Sequence, residues 1–183
     1  MQFLIFLLTL SITLFSHSQK YFVEQSEVSF YSWAPLEDIS AVSNNLEGVV
    51  DLNNGNFFFR VPISSFTFPS SLMQKHFNDK YLESHKFPLS TFKGSFKNKI
   101  SFVDSEKIEA TATGQISIHG VENNILIDTF IETGDSTFIF SSEFYLALKD
   151  FKIKIPKIVR MNIADTIKAV SYTHLRAHET TTN

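Results

Sequence analysis

The chain contains no cysteine, which removes disulfides, thiol catalysis, cysteine-held zinc and a lipid-modified N-terminal cysteine from consideration. Tryptophan occurs once, and the six glycines are all accounted for by turns or strand interiors, leaving no glycine-rich phosphate loop. A G-x-S-x-G elbow, an H-E-x-x-H pair and a motif-supported Ser, His and Asp arrangement are likewise missing, so no catalytic residue is assigned. Net charge is -3 with acids and bases interspersed. Without a basic stripe to neutralise phosphates, nucleic acid is not an expected partner.

Phenylalanine is in excess, with 20 among 183 residues, 17 of them after Gln19. With 43% apolar content, the chain fits one domain whose core is aromatic and dry. Residues 1–18 read as a secretory signal peptide. The apolar run from Phe3 to Phe15 is short for a membrane span, and Ser16-His17-Ser18 offers small residues before Gln19. The n-region has no Lys or Arg, which leaves an uncleaved anchor as the alternative. The expected location is periplasmic or secreted.

Residues 106–149 read as three long antiparallel strands. A two-residue hairpin at His119-Gly120 places Ile118 opposite Val121, Gly114 opposite Ile125, Ala112 opposite Ile127 and Ile108 opposite Ile131. A second at Gly134-Asp135 places Ile131 opposite Phe138, Thr129 opposite Phe140, Ile125 opposite Phe144 and Asn123 opposite Leu146. One face then carries Ile108, Ala110, Ala112, Gly114, Ile116, Ile118, Ile125, Ile127, Ile131, Phe138, Phe140, Phe144 and Leu146. The other carries Glu109, Thr111, Thr113, Gln115, Ser117, Asp128 and Glu132, and a one-residue slip would put the apolar set in water. The first strand, about a dozen residues, spans ~40 Å, long for a packed sandwich. Ala110, Ala112 and Gly114 hollow its middle. In a closed sheet they leave room for an apolar cavity, unless aromatic side chains from facing strands fill it.

Before this ribbon, Tyr21 to Trp33 reads as a strand with Val28 and Phe30 on one face. Asn54-Gly55 reads as a hairpin turn that sets Leu52 opposite Phe57, Val50 opposite Phe59 and Gly48 opposite Val61, with Phe58 facing outward to pack under a loop or helix. Ser70 or Ser71 caps a helix over Leu72 to Ser84, in which Met73, Phe77 and Tyr81 share a face. Phe87-Pro88 stops it and a strand runs from Leu89 to Phe96. His76, Asp79, Glu83 and His85 have metal-ligand types, but His85 would have to fold back to complete a site, and no metal is assigned. His119 is expected to bond nearby backbone, and Asp150 to accept backbone hydrogen bonds at a chain reversal.

Three blocks in this order resemble the YceI-like family of exported, lipocalin-like proteins. They are MQKHFNDKYLESHKFPLSTFKGSF from Met73 to Phe96, GQISIHGVENNILI from Gly114 to Ile127, and FYLALKDFKIKIPKIV from Phe144 to Val159. With Ser26 to Phe30 the resemblance runs from about Lys20 to Val170. It implies an all-β fold, an extended eight-stranded antiparallel barrel with a helical insertion, holding an isoprenoid or similar long-chain lipid. Some members place a basic or amide side chain for a lipid head group; Arg60, Lys75 and Lys80 are the cations in that region here. A last strand is expected near Arg160 to Val170. Residues 171–183 have no apolar period and read as sequence foreign to the domain, so His174 and His178 are set aside.

The expected cavity wall is Phe30, Val50, Leu52, Phe57, Phe59, Ala110, Ala112, Gly114, Ile116, Ile125, Ile127, Phe138, Phe140 and Phe144. No cofactor is expected, and a homodimer is left open. Two rival readings stand beside the lipid carrier: a barrel-based hydrolase or isomerase relying on His76 or Asp79, and an exported partner-binding barrel with a packed core.

Overall fold

The computed structural model describes residues 20–97, 107–134 and 137–177; the signal-peptide reading falls outside them. Among the described residues, nine strands form in chain order: β1 Lys20–Trp33, β2 Asp38–Ser43, β3 Glu47–Asp51, β4 Asn56–Pro62, β5 Leu89–Phe96, β6 Lys107–Ile118, β7 Val121–Gly134, β8 Thr137–Ala147 and β9 Thr166–Ala177. One short helix, α1 at Ser71–His76, runs on into a π turn at Phe77–Tyr81. Strand β1 pairs with β3 on one edge and with β9 on the other, so all strands except β2 close into an eight-stranded antiparallel barrel. The lower end carries the β3–β4 turn and the paired ends of β7 and β8 at Gly134 and Thr137, with Asp135 of the expected second hairpin outside the described residues; the upper end carries residues 34–37, 63–88 and 148–165. No helix among the described residues is long and apolar enough to cross a membrane.

The ring is tight only in its lower half. Against β3, β1 is paired from Lys20 to Phe22, and from Val28 upward β2 takes that edge instead. Strands β7 and β8 pair from Gly134/Thr137 up to Thr129/Ser142. Above this fork β7 stays with β6 and β8 with β9. The turn Leu148–Phe151 sits in the gap, where Asn123 Nδ2 donates to the Asp150 carbonyl at 2.9 Å. Below the fork the interior is filled: Tyr21, Val50, Ala110, Ile131, Phe138 and Leu175 are buried together, with Tyr21 edge-on to Phe138 at 4.6 Å.

The first hairpin has the expected register throughout, and φ values of 53° at His119 and 71° at Gly120 match a type I′ turn. Two other registers differ from expectation by two residues. Gly134 pairs with Thr137, so Ile131 faces Phe140, Thr129 faces Ser142, and Asn123 and Leu146 are not partners. At the lower end Val50 faces Phe57 and Gly48 faces Phe59. There the Asp51 carboxylate accepts from the Asn53 N–H at 3.0 Å and the Asn54 amide at 3.1 Å, and the Gly55 N–H reaches the Asp51 carbonyl at 2.8 Å. These bonds hold a four-residue loop and take Leu52 out of the strand. A shift of two preserves the alternation of faces, so the inward set is unchanged. Phe58 faces outward but remains exposed. The last strand also corrects the reading: β9 continues past Val170 to Ala177, pairing with β1 and β8 and burying Thr173 and Leu175.

Gly114 has a different purpose from the one its neighbours suggested. It lies opposite Gly94 across β5–β6, and a Cβ on either would run into the partner strand's backbone, the Lys93 carbonyl in the case of Gly114. The position serves close approach of two backbones. Gly114→Ala is therefore expected to cost about 1–3 kcal/mol, read as a lowered urea midpoint at unchanged m-value.

Candidate ligand-binding cavity

Where the sheet spreads, an apolar cavity of about 440 Å³ runs from mid-barrel to the upper end. Its floor is Phe57, Phe96, Ala112, Ile127 and Phe140, and its walls include Phe59, Phe92, Ile116, Phe144 and Leu146. The insertion between β4 and β5 supplies the roof. Ser70 Oγ accepts from the Met73 N–H and starts α1, and Met73, Phe77 and Tyr81 then point into the cavity. Steps of four residues drift one way around an α-helix of ~3.6 residues per turn; the wider π turn drifts back and keeps the three on one stripe. Phe77 packs on Phe30 at 5.6 Å and on Phe68 at 4.9 Å, closing the roof over β1. Burial pushes the Tyr81 phenol above its ordinary pKa, so it is neutral in this site.

Of the expected wall residues, Phe30, Phe57, Phe59, Ala112, Ile116, Ile127, Phe140 and Phe144 line the cavity. Val50, Ala110 and Phe138 lie below it in the packed lower core, and Leu52 and Ile125 pack against core residues without lining it. Gly114 is spent on the Gly94 contact. The structure adds what the sequence reading missed, a hydroxyl band at mid-height. Thr129 and Ser142 face each other at the fork with their oxygens 2.9 Å apart, and Ser171 and Thr173 lie 3.2 Å apart on the adjoining strand. All four line the cavity. The two-residue register difference conceals this band, because it pairs Thr129 with Phe140 on paper. The charged and amide lining groups, Glu37, Arg60, His76 and Asn162, come from β4 and the upper-end segments.

One polar node pins the roof to the barrel rim. His119 Nδ1 lies 3.2 Å from the Phe151 main-chain carbonyl, the backbone contact expected of it although 32 residues away in sequence, and Nε2 lies 3.1 Å from Glu83 Oε2, 36 residues away, a side-chain partner beyond that expectation. The Phe87 ring stands edge-on to the imidazole at 4.7 Å. Glu83, His119 and Lys152 are the non-glycine residues with positive φ among those described, and all three sit at this node. Left-handed backbone costs on the order of 1–2 kcal/mol per residue, which the cross-links offset. Asp150 contributes its main-chain carbonyl to Asn123, in place of the carboxylate role expected of it. The two carboxylates among the metal-type residues are otherwise engaged. Asp79 pairs with Lys75 at 2.8 Å and Glu83 with Lys86 at 2.5 Å; among the described residues no group of three or more could hold a metal ion. Of the head-group cations, Lys75 is thus paired and Arg60 is bridged to Glu47.

The Glu83 carboxyl is held below its usual range, by Lys86 first and His119 second. A depressed folded pKa gives a contribution present above the unfolded value and lost as pH falls through the folded one. Protection factors of the amides in residues 77–88, taken relative to the intrinsic exchange rate at each pH, are therefore expected to fall as the pH drops through the folded Glu83 value, while those of β6 and β7 are retained. Glu83→Gln should show faster exchange there already at neutral pH.

The family model for the YceI-like domain matches residues 21–171. No curated protein matches the chain in sequence. Among solved structures, a polyisoprenoid binding domain from Saccharophagus degradans, implicated in plant cell wall breakdown, superposes with a TM-score of 0.75 at 11% identity, over 88% of this chain and 99% of that one. BcnA of Burkholderia cenocepacia gives 0.70 at 13% identity, over 81% and 95%. The YCEI protein of Campylobacter jejuni gives 0.56 at 19% identity, over 71% and 78%. At these identities the structures share the barrel, and the family match carries the assignment: the chain is a member of the YceI-like family.

Proposed function

We propose that this protein binds a long-chain apolar lipid, an isoprenoid or similar molecule, in the upper half of its barrel, and sequesters or carries it outside the cytoplasm without turnover. The observation that carries the reading is the cavity, walled by phenylalanine and isoleucine and floored at Ala112. Its volume lies in the range of small-molecule sites, ~300–1,000 Å³. Burying a prenyl or acyl chain at roughly 25 cal/mol per Å² makes several kcal/mol available without a hydrogen bond. The hydroxyl pairs satisfy one another, so an apolar chain passes the band without stranding a buried polar group, and a neutral oxygen on the ligand finds a partner there. The polyisoprenoid-binding neighbour and the signal-peptide reading of residues 1–18 support ligand class and location respectively.

Native mass spectrometry of protein purified from cells should show a lipid adduct, and delipidated protein should take up an isoprenoid quinone or a fatty acid. Ala112→Trp, which places a ring on the cavity floor, is expected to lower that affinity at least about tenfold, a change of ~1.4 kcal/mol, while the urea midpoint shows the barrel still folds. Absence of any adduct together with no uptake of either lipid class overturns the reading.

A further inference from the structure

We propose that residues 149–161, at the rim of the cavity, form the surface by which this protein docks on an anionic lipid bilayer. This goes beyond the cavity reading and does not depend on which lipid the barrel holds. The segment carries Lys149, Lys152, Lys154, Lys157 and Arg160 against one acid, Asp150, in a chain of net charge -3. All five cations are exposed, and among the described residues none is in an ion pair, whereas Arg60, Lys75, Lys86 and Lys168 each hold a carboxylate. Between them stand apolar side chains in water: Ile158 is 90% exposed and Met161 51%. Leu36, 69% exposed, adjoins them, its N–H donating to the Met161 carbonyl at 2.9 Å.

A single exposed aliphatic residue is ordinary; cations and apolar tips on one short loop are the composition that lies in a membrane interface. Cations held near an anionic leaflet gain attraction from many lipids at once, without fixed partners. A second copy of the chain would set these cations against each other. The loop is also divided between two surroundings. Ile155, Val159 and Ile163 line the cavity while Ile158 and Met161 face out, so the docking surface adjoins the cavity interior.

The test is co-sedimentation of the full chain with phosphatidylcholine vesicles, with and without phosphatidylglycerol, at low and high salt. Binding should require phosphatidylglycerol and weaken with salt. Neutralising Lys154, Lys157 and Arg160 to Gln should lower partitioning on the order of fivefold per cation, roughly a hundredfold together, and Ile158→Asp should lower it further. Loading of the barrel from cyclodextrin-delivered quinone, with no vesicle present, should be unchanged in both variants. Failure of the wild type to bind anionic vesicles, binding indifferent to these substitutions, or self-association through Ile158 overturns the docking surface. Docking retained in a protein that takes up no lipid would sink the cavity reading alone.

Discussion

The structure depends on where its sheet stops being a closed ring. Below the Thr129/Ser142 pair β7 and β8 are joined, and Tyr21, Val50, Phe138 and Leu175 are buried together in one cluster. Above that pair β7 parts from β8, and β1 has already exchanged β3 for β2, so the perimeter widens while the inward side chains do not grow. The unfilled space follows from that mismatch. Small residues have a lesser part in it: of the three on β6, only Ala112 borders the cavity, Ala110 is covered by the lower core and Gly114 admits a neighbouring backbone.

Two excursions of the chain close what the sheet leaves open. Residues 63–88 lay an aromatic stripe across the top, and the turn at Leu148–Phe151 seals the gap beside β7. Both meet at His119, whose two ring nitrogens face one acceptor from each. An imidazole at the first position of a tight hairpin turn is thereby the joint between roof and rim. The roof is held by polar contacts around a few backbone-strained residues and by phenylalanine packing, whereas β6, β7, β8, β9 and β1 are joined to one another by strand ladders. That difference makes the upper end the part that opens at least cost.

Much of this was legible from residues because a β-strand repeats every two positions. The His119-Gly120 turn has the two-residue form its sequence announces, and the ribbon's inner face follows from it. The turn at Asn54-Gly55 looked equally plain, yet Asp51 accepts from both asparagines and lengthens the loop, a local side-chain preference that pattern counting passes over. A register change of two keeps the inward and outward faces of the paired strands but changes which residues are partners, so the alternation is legible in the sequence and the Thr129/Ser142 pair is not. The stripe of Met73, Phe77 and Tyr81 was visible as a helix face, but its role as a cavity roof needed the fold. Val50 and Phe138 were indistinguishable from cavity residues because a filled and an empty stretch of one barrel share the same alternation.

The central claim is that the upper half of the barrel is a lipid site because the sheet spreads there. Anomalous diffraction from crystals loaded with a terminally brominated alkyl or prenyl chain tests it directly. The account predicts bromine density inside the barrel, between the floor at Ala112 and the roof at Phe77. Bromine confined to the outer surface, with side chains closing the interior around Ala112, would contradict it.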